Sequence, residues 1–156
     1  MEPFIHYREA QLEDMIAISN LVLRVFDEYV GSGYSLDGQS IFHSYVQPDA
    51  IQKRFCAGSS FIFVALHDKK IIGTIEVKNG NHISVLFVDK RYHKMGIAKH
   101  LISMAIEKAS NINLITEITV NSSPYAVDIY KRLGFLQLDK EIERDGIRHT
   151  PMKKCL

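Results

Sequence analysis

Apolar positions change their spacing near residue 61, which divides the chain into a helical opening and a strand-rich remainder. Residues 4–8 alternate weakly and predict a short first strand. Glu13 and Asp14 then open a helical pattern in which Met15, Ile18, Val22, Val25 and Tyr29 fall on one face, widened by Leu21 and Phe26. Gly31, Gly33 and Gly38 interrupt that pattern around Tyr34 and Ser35, so this stretch reads as a flexible loop that either covers a site or joins two helices. A second helix is expected over 48–55, with Pro48 at its first position.

From Phe61 three runs rich in β-branched and aromatic residues follow, at 61–66, 70–77 and 82–88. Asn79-Gly80 between the last two predicts a hairpin, because a type I′ turn needs positive φ at both central residues. Residues 96–109 read as a helix that buries Ile97, Leu101, Ala105 and the stem of Lys108. A strand is expected at 115–120 and a helix at 124–133, ended by Gly134 in a left-handed C′ position. Residues 135–143 and 147–154 read as a closing hairpin around Asp145-Gly146.

Composition adds limits. With 156 residues and 46% hydrophobic positions the chain has enough apolar surface for one self-sufficient domain spanning 1–156. The 19 basic and 18 acidic side chains nearly cancel, which argues against a dedicated nucleic-acid binder. No apolar run approaches membrane-spanning length. Neither is there a signal-peptide pattern at the amino terminus. The two cysteines, Cys56 and Cys155, are far apart and form no metal or redox motif, so a cytoplasmic setting with both as thiols is expected, and Cys56 reads as a buried, inert side chain. The seven histidines contain no compact ligand pattern, so no metal site is expected.

The segment richest in candidate chemistry runs from Val88 to Leu101. It joins a predicted strand to a predicted helix and therefore offers free backbone N–H groups at a helix N-terminus, where partial positive charge favours phosphate. Between residues 89 and 100 Lys90, Arg91, Lys94 and Lys99 stand against one acid, Asp89. A solvated basic turn would have the same composition. The segment lacks the spacing of a P-loop and of a dinucleotide-binding fingerprint.

What it does resemble is motif A of the GCN5-related N-acetyltransferase (GNAT) superfamily, Q/R-x-x-G-x-G/A, written here His93-Lys94-Met95-Gly96-Ile97-Ala98 with His93 in place of Gln or Arg. A second block, residues 118–135, resembles motif B: Tyr130 and Gly134-Phe135 occupy its places, while Ser123 stands where Asn is usual and Asn121 lies two residues earlier. The order of predicted elements fits the family across nearly the whole chain. The resemblance implies an α/β (α+β) GNAT fold: a mixed central sheet with antiparallel N-terminal strands, a splayed parallel pair at the cofactor site, flanking helices and a C-terminal hairpin.

It also implies acetyl-coenzyme A as co-substrate and direct attack of an acceptor amine on the thioester in a ternary complex. Backbone groups from Lys94 to Lys99 would hold the pyrophosphate, Leu86, Phe87 and Val88 would pair with the pantetheine arm, and an N–H near Leu86 would serve the oxyanion. Asn121 and Ser123 are the candidates for the amide contact. Tyr130 is the expected general acid for the departing thiolate, or else a core tyrosine. The base is open between His82, Glu76 and water. The aromatics Phe26, Tyr29, Tyr34, Phe42 and Tyr45 surround the glycine segment, which helps shape the acceptor pocket in the family. The acceptor itself, a small molecule or a protein amine, is not readable, and homodimers are common among members. A non-catalytic acyl-coenzyme A sensor is the competing reading.

Overall fold

A computed structural model describes residues 2–156. Its sheet has eight strands: β1 (His6–Glu9), β2 (Ser60–His67), β3 (Lys70–Lys78), β4 (His82–Val88), β5 (Glu117–Ser122), β6 (Leu136–Gln137), β7 (Ile142–Arg144) and β8 (Ile147–Cys155). The spatial order is β1-β2-β3-β4-β5-β8-β6, with β7 paired to β8. Neighbours are antiparallel except β4 and β5, which run parallel.

Five α-helices flank the sheet: α1 (Met15–Val25), α2 (Leu36–Tyr45), α3 (Pro48–Cys56), α4 (Ile97–Ile112) and α5 (Val127–Arg132). On one face, Ile18 and Val22 of α1 and Ile51 of α3 pack on Ile62, Val64 and Val85. On the other, Ile97, Leu101 and Ala105 of α4 pack on Ala65, Ile75 and Val88. Gly73 on β3 permits that close approach, since a Cβ there would stand 3.2 Å from Ile97 Cγ2. Lys108 behaves as an amphipathic cover: its ammonium pairs with Glu9 and lies over the rings of Phe61 and Phe63.

Several elements differ from their expected form, each for a local reason. The glycine segment is not one loop. After α1 the chain makes a π turn over Phe26–Val30 and a 3₁₀ turn over Gly31–Gly33, and then begins α2. Ser35 caps α2 by accepting from the Gly38 N–H at 3.0 Å. Gly38 is inside this helix because backbone passes against it: a Cβ would come 2.4 Å from the Gly146 carbonyl oxygen at the β7–β8 turn. Apart from Gly38, α2 has no buried residue, and its sequence carries no apolar stripe to reveal it.

The strand expected at 115–120 lies two residues later, because β8 continues to pair with it as far as Ser122↔Thr150. The helix expected at 124–133 opens as a 3₁₀ turn over Pro124–Ala126. The stretch 135–143 splits into β6 and β7, both on β8, which lies between β5 and β6. At the predicted hairpin Asn79 and Gly80 have φ of 54° and 81°, although Asn81 makes the connection three residues long between Lys78 and His82.

Candidate functional site

β4 and β5 stay together for only two residue pairs, His82↔Thr119 and Ile83↔Val120. The next residue of β4, Ser84, has no opposite number on β3, where Glu76 pairs with Val85 and Val77 with Ile83. Such a one-residue bulge bends the strand and increases its twist. Beyond it the two parallel strands part, and the opening between them is a cleft of about 490 Å³. Its floor on the β4 side is Leu86, Phe87 and Val88. On the β5 side stand Asn121 and Ser123.

The basic loop forms one end of this cleft. Asp89 caps a 3₁₀ turn over Lys90–Tyr92 by accepting from the Arg91 N–H. Arg91 also holds the Asp89 side chain, and this contact, helped by that N–H and by the charge of Arg24, lowers the Asp89 carboxyl to about 2 against the cost of its burial. His93 folds back and its Nε2–H donates to the Val88 carbonyl at 2.8 Å, tying the loop to the end of β4. Lys94 and Gly96 are both left-handed, with φ of 65° and 75°. A Cβ on Gly96 would meet nothing within 4 Å, so its backbone faces open space. The first α4 N–H to find a helical acceptor is that of His100, bonded to the Gly96 carbonyl. Those of Ile97, Ala98 and Lys99 are left as free donors at the end of a 16-residue helix.

The opposite wall comes from the short helix α5. Tyr130 is buried, its ring set edge-on to Phe135 at 5.2 Å, and Gly134 ends the helix at φ 95°. Tyr130 is among the residues that line the cleft, and burial pushes its pKa upward, so it stays protonated at neutral pH.

Of the residues singled out from the sequence, Leu86, Phe87, Val88, His93, Lys94, Gly96, Ile97, Ala98, Lys99, Asn121, Ser123 and Tyr130 all line this one cleft. Met95 does not; its side chain points outward between the two left-handed residues and is exposed. His82 is also outside the lining. It sits where β4 and β5 are still paired, its Nδ1 is 2.7 Å from Thr119 Oγ1, and desolvation, aided by the charge of Lys78, lowers its pKa. Glu76 is buried under α3 with both carboxylate oxygens bonded by Arg54, at 2.7 and 3.0 Å. Neither side chain considered as a base reaches the cleft. Sequence reasoning missed Tyr125 and Arg132, which also line it and flank the motif B positions. Among the described residues no group of three or more His, Cys, Asp or Glu is arranged to hold a metal ion, and no helix is long and apolar enough to cross a membrane.

Comparison with known proteins points the same way as the geometry. Residues 27–156 match the family described as the acetyltransferase (GNAT) domain. The chain is 38% identical over 85 residues to the N-alpha-acetyltransferase MAK3 of Arabidopsis thaliana, a match that spans 48% of this chain and 44% of that protein. In structure it is similar to a GCN5-related N-acetyltransferase from Rhodopseudomonas palustris, with a TM-score of 0.82 and 19% identity, over 100% of this chain and 99% of that one. It is similar too to the PaiA N-acetyltransferase of Thermoplasma acidophilum, solved in complex with coenzyme A, with a TM-score of 0.81 and 18% identity, over 98% and 99% of the two chains.

Proposed function

Since the chain belongs to the GNAT acetyltransferase family, we propose that it transfers an acetyl group from acetyl-coenzyme A to an acceptor amine by direct attack with both substrates bound. The observation that carries this reading is the meeting, in one cleft, of an unpaired strand edge, a left-handed loop with free helix N–H groups, and a protonated tyrosine. Acetyl-coenzyme A would supply the activated acetyl thioester. The residues present fit it: the open backbone around Gly96 and the free N–H groups of Ile97, Ala98 and Lys99 suit a pyrophosphate. The edge of β4 over Leu86, Phe87 and Val88, with no strand beside it, suits an extended amide-bearing arm and offers an N–H for the oxyanion.

The chemistry forms a C–N bond to the acetyl carbon and breaks its C–S bond. The thiolate leaving group takes a proton from the Tyr130 hydroxyl, and the phenol is restored by the proton that the attacking nitrogen gives up. Among the described residues no carboxylate lines the cleft, neither His82 nor Glu76 reaches it, and the one imidazole there, His93, is tied to the Val88 carbonyl, so the amine arrives uncharged, its first proton lost to water. Holding both reactants in one groove removes the entropy of their encounter.

Tyr130→Phe tests this assignment. The ring and its contact with Phe135 are kept, so melting temperature and coenzyme A affinity should hold while kcat with an accepted amine falls by roughly 10²- to 10⁴-fold. A near-parental rate would remove Tyr130 from the reaction. Coenzyme A binding without acetyl transfer to any of a panel of amines would favour the sensor reading instead.

A further inference from the structure

The cleft continues past the bulge at Ser84 into a chamber between the end of α1 and β4. Its walls are aromatic. Phe26 stacks on Phe42 with centroids 4.1 Å apart and meets Tyr34 edge-on at 5.3 Å, and Phe42 lies 5.9 Å from Phe87. The π turn after α1 contributes to this arrangement: the wider turn runs from Phe26 to the Gly31 N–H that bonds its carbonyl, and it sets the fully buried Phe26 ring behind Phe42.

Among the described residues no Asp or Glu lines any part of the cleft. The two acids that follow Phe26 in sequence are exposed and held elsewhere: Asp27 pairs with His43 at 2.7 Å, and Glu28 accepts from the Tyr29 hydroxyl at 2.8 Å. A polycation seated here would bury charge with no counter-ion, which is strongly unfavourable. An apolar group would gain from leaving water. The chamber also bears on how the amine loses its proton. Moving an ammonium into apolar surroundings lowers its pKa, so such a chamber favours the neutral, nucleophilic form of whatever amine it admits.

We propose that the acceptor is a primary amine attached to an apolar or aromatic group that sits against Phe42, whose ring the buried Phe26 backs from the core. This rests on the acetyl-transfer reading above. Two sources carry that chemistry, a free arylalkylamine and a peptide N-terminus with an apolar first side chain.

The test compares acetyl transfer to phenethylamine, to spermidine, and to two otherwise identical ten-residue peptides that begin with leucine or with glutamate. Phenethylamine or the leucine peptide should exceed spermidine and the glutamate peptide at least tenfold in kcat/KM, and whichever is the better identifies the source. Equal or greater transfer to spermidine or to the glutamate peptide overturns the apolar acceptor and leaves acetyl transfer standing. Coenzyme A binding with no transfer to any of the four overturns both. Phe42→Ala should raise KM for the preferred amine about tenfold with coenzyme A affinity kept, and Phe42→Leu, which preserves packing, should fall between it and the parent. An unchanged KM in both variants also overturns the assignment.

Discussion

Arg54 is the side chain whose loss should cost this protein most for its position near the surface. Its Nε and Nη2 donate to the Glu76 carboxylate, its Nη1 donates to the Tyr45 carbonyl at 2.8 Å, and its guanidinium lies 3.8 Å from the centre of the Tyr45 ring. The Glu76 side chain is only 3% exposed and that of Arg54 18%. Arg54→Met keeps much of the stem but leaves a buried carboxylate without its two charged donors. Stranding a buried charge in this way costs about 3–5 kcal/mol. For a domain of this size that corresponds to a drop of roughly 6–20 °C in melting temperature. Replacing both partners by Met should recover most of the loss, because the stranded charge goes with the cation that held it. Urea and thermal unfolding of the two single variants and the double variant measure the coupling. A loss below about 1 kcal/mol in Arg54→Met, or a double variant as unstable as the sum of its parts, would refute this account of the pair. Glu76→Gln adds a kinetic arm: if Glu76 is structural, the acidic limb of the rate profile stays where it is.

Asp89→Asn should lower stability by roughly 2 kcal/mol at neutral pH. The native carboxyl is depressed to about 2, so its contribution is present above the unfolded pKa and is lost as pH falls through about 2; parent and variant should converge there in acid unfolding, and a gap that persists would be evidence against the charge pairing. Gly96→Val forces a β-branched residue to φ 75° where its Cβ would meet nothing inside the protein, so folding should survive while coenzyme A binding by calorimetry weakens at least tenfold. Parental affinity would move the pyrophosphate elsewhere. His82→Gln can keep the bond to Thr119 and should leave the pH-rate profile unaltered, since His82 lies off the cleft; a lost acidic limb would return it to the proton path.

How far the chain could be read depended on whether the signal was local. The α1 stripe, the three strands from residue 61 and the Asn79-Gly80 turn are visible because period and turn chemistry are written into adjacent residues. The helix α2 was not, because its inward contacts follow no apolar period: a capping serine, a glycine against the distant backbone of Gly146, and Phe42 stacked on Phe26. Strand β8 is comparable: residues 147–154 are evident as a strand, but not that they pair with β5 on one side and β6 on the other.

The site divides along the same line. By itself the sequence determines the αL-prone Gly96 at the head of a helix, the basic residues around it and the Tyr130 to Gly134 spacing, all properties of short segments. Folding alone settles that β4 and β5 part after two residue pairs and that Asn121, Ser123 and Tyr130 face Leu86 and Lys94 across the gap. Glu76 and His82 show the limit most clearly. Each is a plausible base by residue type, yet Arg54 from a helix 22 residues earlier occupies one, and strand pairing with Thr119, 37 residues later, takes the other off the cleft. A side chain's proton chemistry is set by which groups surround it, and those groups come from parts of the chain that only packing brings near.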